Sequence, residues 1–267
     1  MADCDNNCSS CGVENCESRK ALQKDEMNEF SHVKKIIGVV SGKGGVGKSL
    51  VTSLLAVNKH NEGKEVAILD ADITGPSIPQ CFGVHGQLMG DGEHIFPSLS
   101  KGGIKIVSSN LILEHETDPV IWRGPIIANL VRQFYTEVAF GDVDYMFVDM
   151  PPGTGDVPLT VFQSMKVDGI VIVTSPQDLV SMIVAKAINM ANQMNIPVLG
   201  IVENMSYVVC PDCGKHIEVF GHSKLEEVAK KHNLKILGRI PIDQKLADAC
   251  DRGDIESIKD KYFDIDF

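Results

Sequence analysis

Three short segments of this chain carry residue types that could do chemistry. The first is Gly42-Lys43-Gly44-Gly45-Val46-Gly47-Lys48-Ser49, directly after the apolar run Ile36-Ile37-Gly38-Val39-Val40. Its spacing fits G-x-x-x-x-G-K-[ST], the phosphate-binding loop. Glycines let the backbone curl so that successive N–H groups point inward at phosphate oxygens. Lys48 supplies a point charge for the β- and γ-phosphates, and Ser49 offers a hydroxyl to Mg²⁺. The stretch from Leu50 to Val57 reads as helical, so the phosphates would also meet a helix N-terminus. Gly42, Gly44 and Gly47 also fit G-x-G-x-x-G, with Asp70 ending the next apolar run as a dinucleotide fold would require. A lysine in the first helical turn is unfavourable unless an anion sits there. Lys48-Ser49 is needed by a triphosphate with Mg²⁺ and unexplained by a dinucleotide. The second lysine, Lys43, implies use of the nucleotide across a dimer.

The second segment is a set of acids at strand ends. Leu69-Asp70-Ala71-Asp72 closes the second apolar run. Carboxylates there would face the phosphates, and one could orient a water for in-line attack. Tyr145-Met146-Phe147-Val148-Asp149 is an apolar strand ending in an acid, the pattern of a Walker B element whose carboxylate holds Mg²⁺ or its bound water. Pro151-Pro152-Gly153-Thr154-Gly155-Asp156 follows and reads as a loop that senses the γ-phosphate and moves after hydrolysis.

The third segment is the pair Cys210-Pro211-Asp212-Cys213. Two cysteines on a tight turn suit a soft metal or an iron–sulfur centre. One pair supplies two thiolates where tetrahedral zinc or a cubane cluster takes four ligands. His216 and His222 could complete zinc within one chain, or two chains could each give two cysteines to one [4Fe-4S] cluster, which would also account for Lys43. Cys4, Cys8, Cys11 and Cys16 form a further metal signature, for iron–sulfur or zinc. Cys81 and Cys250 stand alone in the sequence and read as buried packing residues.

An α/β fold must position these groups. Apolar strands at Ile36–Val40, Val66–Leu69, Ile104–Ser108, Tyr145–Val148, Gly169–Thr174, Val198–Val202 and Ile236–Ile240 alternate with helical patterns at Ser49–Asn61, Pro125–Phe140, Val157–Met165, Leu179–Met194, Ser223–His232 and Asp243–Asp251. Short all-apolar strands separated by helices predict a mostly parallel sheet covered on both faces. Ligands then sit at the carboxyl ends of the strands. Residues 1–35 read as a Cys-rich appendage with a charged, partly helical linker, and 36–267 as the ATPase domain. Residues 83–103 read as a loop or hairpin insertion.

Composition narrows the function further. The chain has 267 residues and a net charge of −11, with 25 Lys+Arg against 36 Asp+Glu. That argues against a general nucleic-acid surface, which needs basic patches. No apolar run approaches the about 18 residues of a membrane span, and the acidic start, Met1 to Asp5, is unlike a secretory signal. The expected location is the cytoplasm, where clustered cysteines point to metal rather than disulfides.

Taken together, Ser41 to Ser49, Asp70-Ala71-Asp72 with Gly75-Pro76-Ser77-Ile78-Pro79, Trp122-Arg123-Gly124-Pro125, Asp149 to Asp156, Glu203-Asn204-Met205-Ser206 and Cys210 to Cys213 resemble the Mrp/ApbC iron–sulfur cluster carriers. These belong to the MinD/ParA group of deviant Walker A ATPases. The resemblance runs from about Lys35 to the C-terminus. It implies a homodimer that binds ATP and Mg²⁺ and holds a labile [4Fe-4S] cluster between Cys210 and Cys213 of both chains, for delivery to apo-proteins. By position, Lys43 would be the signature lysine, Asp72 the residue that activates water and Asn204 the adenine contact. The loop from Gly42 to Leu50 would bind phosphate, and Ser49 and Asp149 would handle Mg²⁺. The N-terminal cysteines resemble those of the Nbp-type scaffolds, with different intervals: three, two and four residues intervene. Other classes weighed are a positioning ATPase, which would need a basic amphipathic C-terminal helix where this tail is acidic, a nitrogenase-reductase-like electron donor, and a zinc-bridged structural ATPase dimer.

Overall fold

The computed structural model describes residues 24–73, 75, 77–112, 124–153, 155–176 and 180–265. In chain order the elements are β1 (Ser31–Ser41), α1 (Lys48–Asn61), β2 (Val66–Asp70), α2 (Ile78–Phe82), β3 (Ser98–Leu99), β4 (Lys105–Ser108), α3 (Gly124–Glu137), β5 (Gly141–Asp149), α4 (Asp156–Ser164), β6 (Gly169–Thr174), α5 (Val180–Gln193), β7 (Val198–Glu203), β8 (Val208–Val209), β9 (His216–Ile217), α6 (Leu225–His232), β10 (Ile236–Arg239) and α7 (Gln244–Asp251). Eight strands form one sheet in the order β10-β7-β6-β1-β5-β2-β4-β3. Every pairing is parallel except that of the edge strand β3. β8 and β9 make a separate antiparallel hairpin.

The period of two along each strand sorts the core into two layers. Ile36, Val40, Leu69, Met146, Val148, Ile170 and Ile172 face α3, α4, α5 and α6. Ile37, Val39, Ile68, Phe147, Val171 and Val173 face α1, α2 and α7. Both faces of the central strands are dry, which is why those strands read as unbroken apolar runs.

The expected strands and helices are present. β1 starts earlier than the apolar run implies, at Ser31. Its polar first half still pairs with β5 from Ser31↔Gly141 onward, so backbone pairing extends the strand where burial does not. No helix occupies residues 24–30. Instead Asp25 receives a bidentate ion pair from Arg132, both contacts 2.5 Å, and Asn28 Nδ2 donates to the Val138 carbonyl. Residues 83–103 contain a hairpin in which Gly90 bridges Ile95. No described helix is long and apolar enough to cross a membrane.

Candidate functional site

The register of the sheet brings the acids level with one another. Asp70 pairs with Asp149 across β2 and β5, and with Ser108 across β2 and β4. β1 lies against β5 with Val39 beside Asp149, so the glycine loop leaves the sheet next to the acids. Gly45 and Gly47 adopt left-handed backbone, at φ 76° and 74°, which L side chains rarely adopt. A Cβ on Gly42 would strike Ile183, and one on Gly47 would strike the Asn204 amide. Gly47 then caps α1, whose first residue is Lys48.

Lys48 is 95 % buried at its side chain, with Nζ 2.8 Å from Asp149 Oδ2 and 3.5 Å from Asp72 Oδ2. Ser49 Oγ donates to the same Asp149 oxygen at 2.5 Å. Thr52, one turn along α1, donates to Asp149 Oδ1 at 2.6 Å. Asp149 is fully buried, yet both its oxygens have partners, as burial of a charge demands. The sequence-predicted residues Lys48, Ser49, Asp72 and Asp149 thus converge. Thr52 was missed; its signal is the i+4 spacing from Lys48, which turns it toward the same strand end.

Asp70 behaves differently from Asp72. It is fully buried, accepting from Ser108 Oγ at 3.0 Å and from the Asp72 N–H at 3.1 Å. Burial first, and then the neighbouring Asp149 charge, push its carboxyl up to about 8. Asp70 shapes the floor of the site, while Asp72 reaches its surface. The pocket lined by Ser41, Gly44 to Leu50, Asp72, Gly75, Ser77, Cys81 and Pro152 has a volume of about 340 Å³. Lys43 is half-buried at the loop's start, its carbonyl accepting from Ser41 Oγ. In the segment after Asp149, the Gly153 N–H donates to the Ser41 carbonyl at 2.8 Å, with Gly153 at φ 91°. The proposed γ-phosphate sensor is therefore fastened to the base of the phosphate loop. Thr154, Trp122 and Arg123 lie outside the described residues, as do Cys4, Cys8, Cys11 and Cys16.

Cys81 and Cys250 do not stand alone, contrary to the sequence reading. Cys81 is buried on α2, and α7 packs Cys250 against the same core layer. Their thiols hydrogen-bond to each other, which raises Cys81 and lowers Cys250 from the ordinary thiol value. Spacing along the chain gave no sign of this, because the contact is between helices.

Asn204 follows β7 at the edge of the loop. It is 2 % exposed, and its Nδ2 donates to the Val46 carbonyl at 2.9 Å. Beyond it rises the β8–β9 hairpin with Cys210 and Cys213. The Cys210 N–H donates to the Lys215 carbonyl, and the Gly214 N–H to that of Cys210, closing the tight turn. Cys210 is half-exposed and Cys213 exposed. Backbone N–H groups of Cys213 and Asp212, and then the Cys213 thiol, hold the Cys210 thiol below its ordinary value, favouring the thiolate that binds metal. Cys210, Cys213, His216, Glu218 and His222 line one cavity of about 620 Å³. Even so, among the described residues no three His, Cys, Asp or Glu side chains converge to hold a metal. The single-chain zinc alternative, with His216 and His222 beside Cys210 and Cys213, therefore has no preassembled ligand set here. His216 is stacked on Tyr207 with ring centres 4.0 Å apart, and His222 is paired with Glu218 at 2.6 Å.

Residues 32–264 match the family model described as ParA, the NUBPL iron-transfer P-loop NTPases. The chain belongs to this family. It is 45 % identical over 260 residues to an iron-sulfur cluster carrier protein of Methanocaldococcus jannaschii, covering 95 % of this chain and 90 % of that protein. It is 44 % identical over 235 residues to one of Clostridium perfringens, covering 85 % and 82 %. A solved nucleotide-binding protein of Archaeoglobus fulgidus, in complex with ADP, superposes with a TM-score of 0.76 at 46 % identity, covering 84 % of this chain and 88 % of that one. The MinD cell division protein of Aquifex aeolicus in its complex with MinC, at 20 % identity and TM-score 0.56 with 82 % and 86 % covered, shares the fold. The chain is a P-loop NTPase of the iron-transfer family.

Proposed function

We propose that this protein is an ATP-dependent iron–sulfur cluster carrier in which two copies hold one [4Fe-4S] cluster as cargo and pass it to apo-proteins. The observation that carries the proposal is the incomplete thiol site. An accessible Cys-x-x-Cys turn with a depressed thiol offers two ligands, next to a nucleotide site whose groups are already assembled. A second copy would bring the other two thiolates.

In this reading the amides from Gly42 to Leu50 and the Lys48 ammonium hold the phosphates. The Ser49 hydroxyl and the Asp149 carboxylate, already on one another, have the donor chemistry for Mg²⁺, which would neutralise charge on the β- and γ-oxygens. Asp72 orients the water that attacks the γ-phosphorus as the bond to the ADP oxygen breaks. Lys43 reaches the partner's nucleotide, and Asn204 contacts adenine. Turnover is slow, because a switch needs its states to persist. The ATPase body takes in the chain from Ser31 rather than Ile36, the segment ahead of it offers Cys4, Cys8, Cys11 and Cys16 as a second metal site, and the protein acts in the cytoplasm. The fit rests on the left-handed glycines, the buried Lys48 and the paired Asp149.

The test is anaerobic reconstitution of the wild type and of a Cys210→Ala/Cys213→Ala variant, followed by iron and sulfide analysis and by nucleotide binding. The variant should lose the transferable cluster and keep nucleotide affinity. Equal iron and sulfide in both proteins, or zinc in place of iron in the wild type, would end this assignment.

A further inference from the structure

A buried acid stands between the two sites, and neither site uses it. Glu203 ends β7 and is fully buried. Ser206 Oγ donates to its Oε2 at 2.6 Å, and Ser223 Oγ donates to its Oε1. Ser206 lies just before β8, and Ser223 lies where the chain returning from β9 enters α6. One carboxylate therefore clasps both feet of the hairpin that carries Cys210 and Cys213. Arg239 Nε stands 4.0 Å from Oε2 while its guanidinium is held by Glu226 at 3.0 Å.

The backbone around the clasp is fixed from below. The Asn204 N–H donates to the Thr174 carbonyl, the Ile240 N–H to that of Glu203, the Ser206 N–H to that of Ile240, and the Ile242 N–H to that of Tyr207. Between Asn204 and Ser206 sits Met205, a bulky residue at φ 56°, a conformation that persists only where its surroundings enforce it. Asn204, on the other side of that residue, grips the Val46 carbonyl inside the phosphate loop. The path from loop to hairpin is thus contiguous: Val46, Asn204, Met205, Ser206, Glu203, Ser223.

We propose that Glu203 is a positioning residue whose two-serine clasp ties the placement of the Cys210 and Cys213 thiols to the state of the phosphate loop. This rests on the carrier reading for its purpose, although not for its geometry. A phosphate group that moves Val46 moves Asn204, and with it the foot of the hairpin. Both oxygens of the buried carboxylate are engaged by serine hydroxyls, so a shift of either foot alone would leave a buried group unpaired.

The experiment uses full-length, cluster-free protein under anaerobic conditions, with and without a non-hydrolysable ATP analogue and Mg²⁺. Iodoacetamide labelling of the peptide bearing Cys210 and Cys213 is followed by mass spectrometry. In the wild type, nucleotide should change the labelling rate by about 5-fold or more, the lower end of ordinary coupling between sites. Ser206→Ala/Ser223→Ala should cut that change below about 2-fold while analogue affinity stays within about 3-fold. Ser223→Thr, which keeps the hydroxyl, should retain the response that Ser223→Ala diminishes. Should the double variant melt early, Glu203→Gln carries the same test, since its amide has one acceptor oxygen where the clasp takes two. A wild type whose labelling ignores nucleotide, or a clasp variant that responds as fully as wild type, overturns the proposal. A nucleotide-responsive wild type that takes up no iron or sulfide would instead sink the carrier reading and leave the clasp standing.

Discussion

The nucleotide pocket and the thiol hairpin are built on opposite principles. In the pocket, Lys48, Asp70 and Asp149 are buried and every charge has a partner. Three parallel strands fix those partners by register. The hairpin stands outside the main sheet on two two-residue strands. Residues 211–220 are exposed throughout, including the apolar side chains Ile217, Val219 and Phe220, which are about half-exposed. A site complete within one chain can be preorganised by its core. A site completed by something else must leave its ligands and its apolar rim in solvent. On the proposed reading, the contrast separates what this chain does alone from what it does with another molecule.

The largest effect should come from Lys48. Lys48→Ala removes a cation that the structure places on both Asp149 and Asp72, and leaves two acids facing incoming phosphates. ATP hydrolysis should fall by about 10²–10³-fold or more, as for loss of one transition-state donor, measured by phosphate release. Thiol labelling of the hairpin without nucleotide should be unchanged. A variant whose thiols become equally altered would mean that the two regions are not separable. Next in size is Thr52→Val, which keeps the shape and leaves Asp149 Oδ1 without its 2.6 Å donor. A buried acceptor stripped of its donor costs about 1–3 kcal/mol, to be read from urea unfolding. A cost near zero would show that the register alone holds Asp149.

Asp70 gives an effect that depends on pH. Its ordinary value is 3.8, and the fold pushes it up to about 8, by burial and then by Asp149. Between those values the folded protein keeps a proton that the unfolded chain releases. Stability therefore falls as pH rises from about 4 toward 8, and the loss is complete above that window. Asp70→Asn, which cannot ionise, should melt at a progressively higher temperature relative to wild type as pH goes from 5 to 8, without nucleotide. Parallel melting curves at both pH values would place the ionisation elsewhere.

The same contrast explains what could be read in the sequence. The pocket was legible because its chemistry is local in the chain. Lysine, serine and glycines fall within eight residues, and each acid closes an apolar run whose strand character is unmistakable. What stayed hidden depends on contacts between elements. Thr52 on Asp149, Cys81 on Cys250 and Ser223 on Glu203 join residues far apart in sequence, and of these only Thr52 leaves a trace, its i+4 spacing from Lys48. The hairpin strands β8 and β9 are too short for periodicity to show. Spacing brings His216 and His222 to the cavity of Cys210 and Cys213, but not their stacking on Tyr207 and pairing with Glu218, which are contacts in space.

The smallest effect on stability tests the hairpin side. Val219 and Phe220 are 56 % and 47 % exposed, so little is lost on folding if they become polar. Val219→Ser/Phe220→Ser should shift unfolding by no more than about 0.5 kcal/mol, the range of surface changes. Nucleotide binding should be untouched, because no phosphate-loop residue lines the thiol cavity. If these side chains form the rim of a contact between two copies, the same variant should shift the nucleotide-bound protein toward monomer in sedimentation velocity, since apolar area removed from water drives most association. A destabilisation of several kcal/mol would show instead that the hairpin is packed against its own chain. An unchanged sedimentation profile would move the contact between copies away from the thiols, and with it the expectation that two chains share one cluster there.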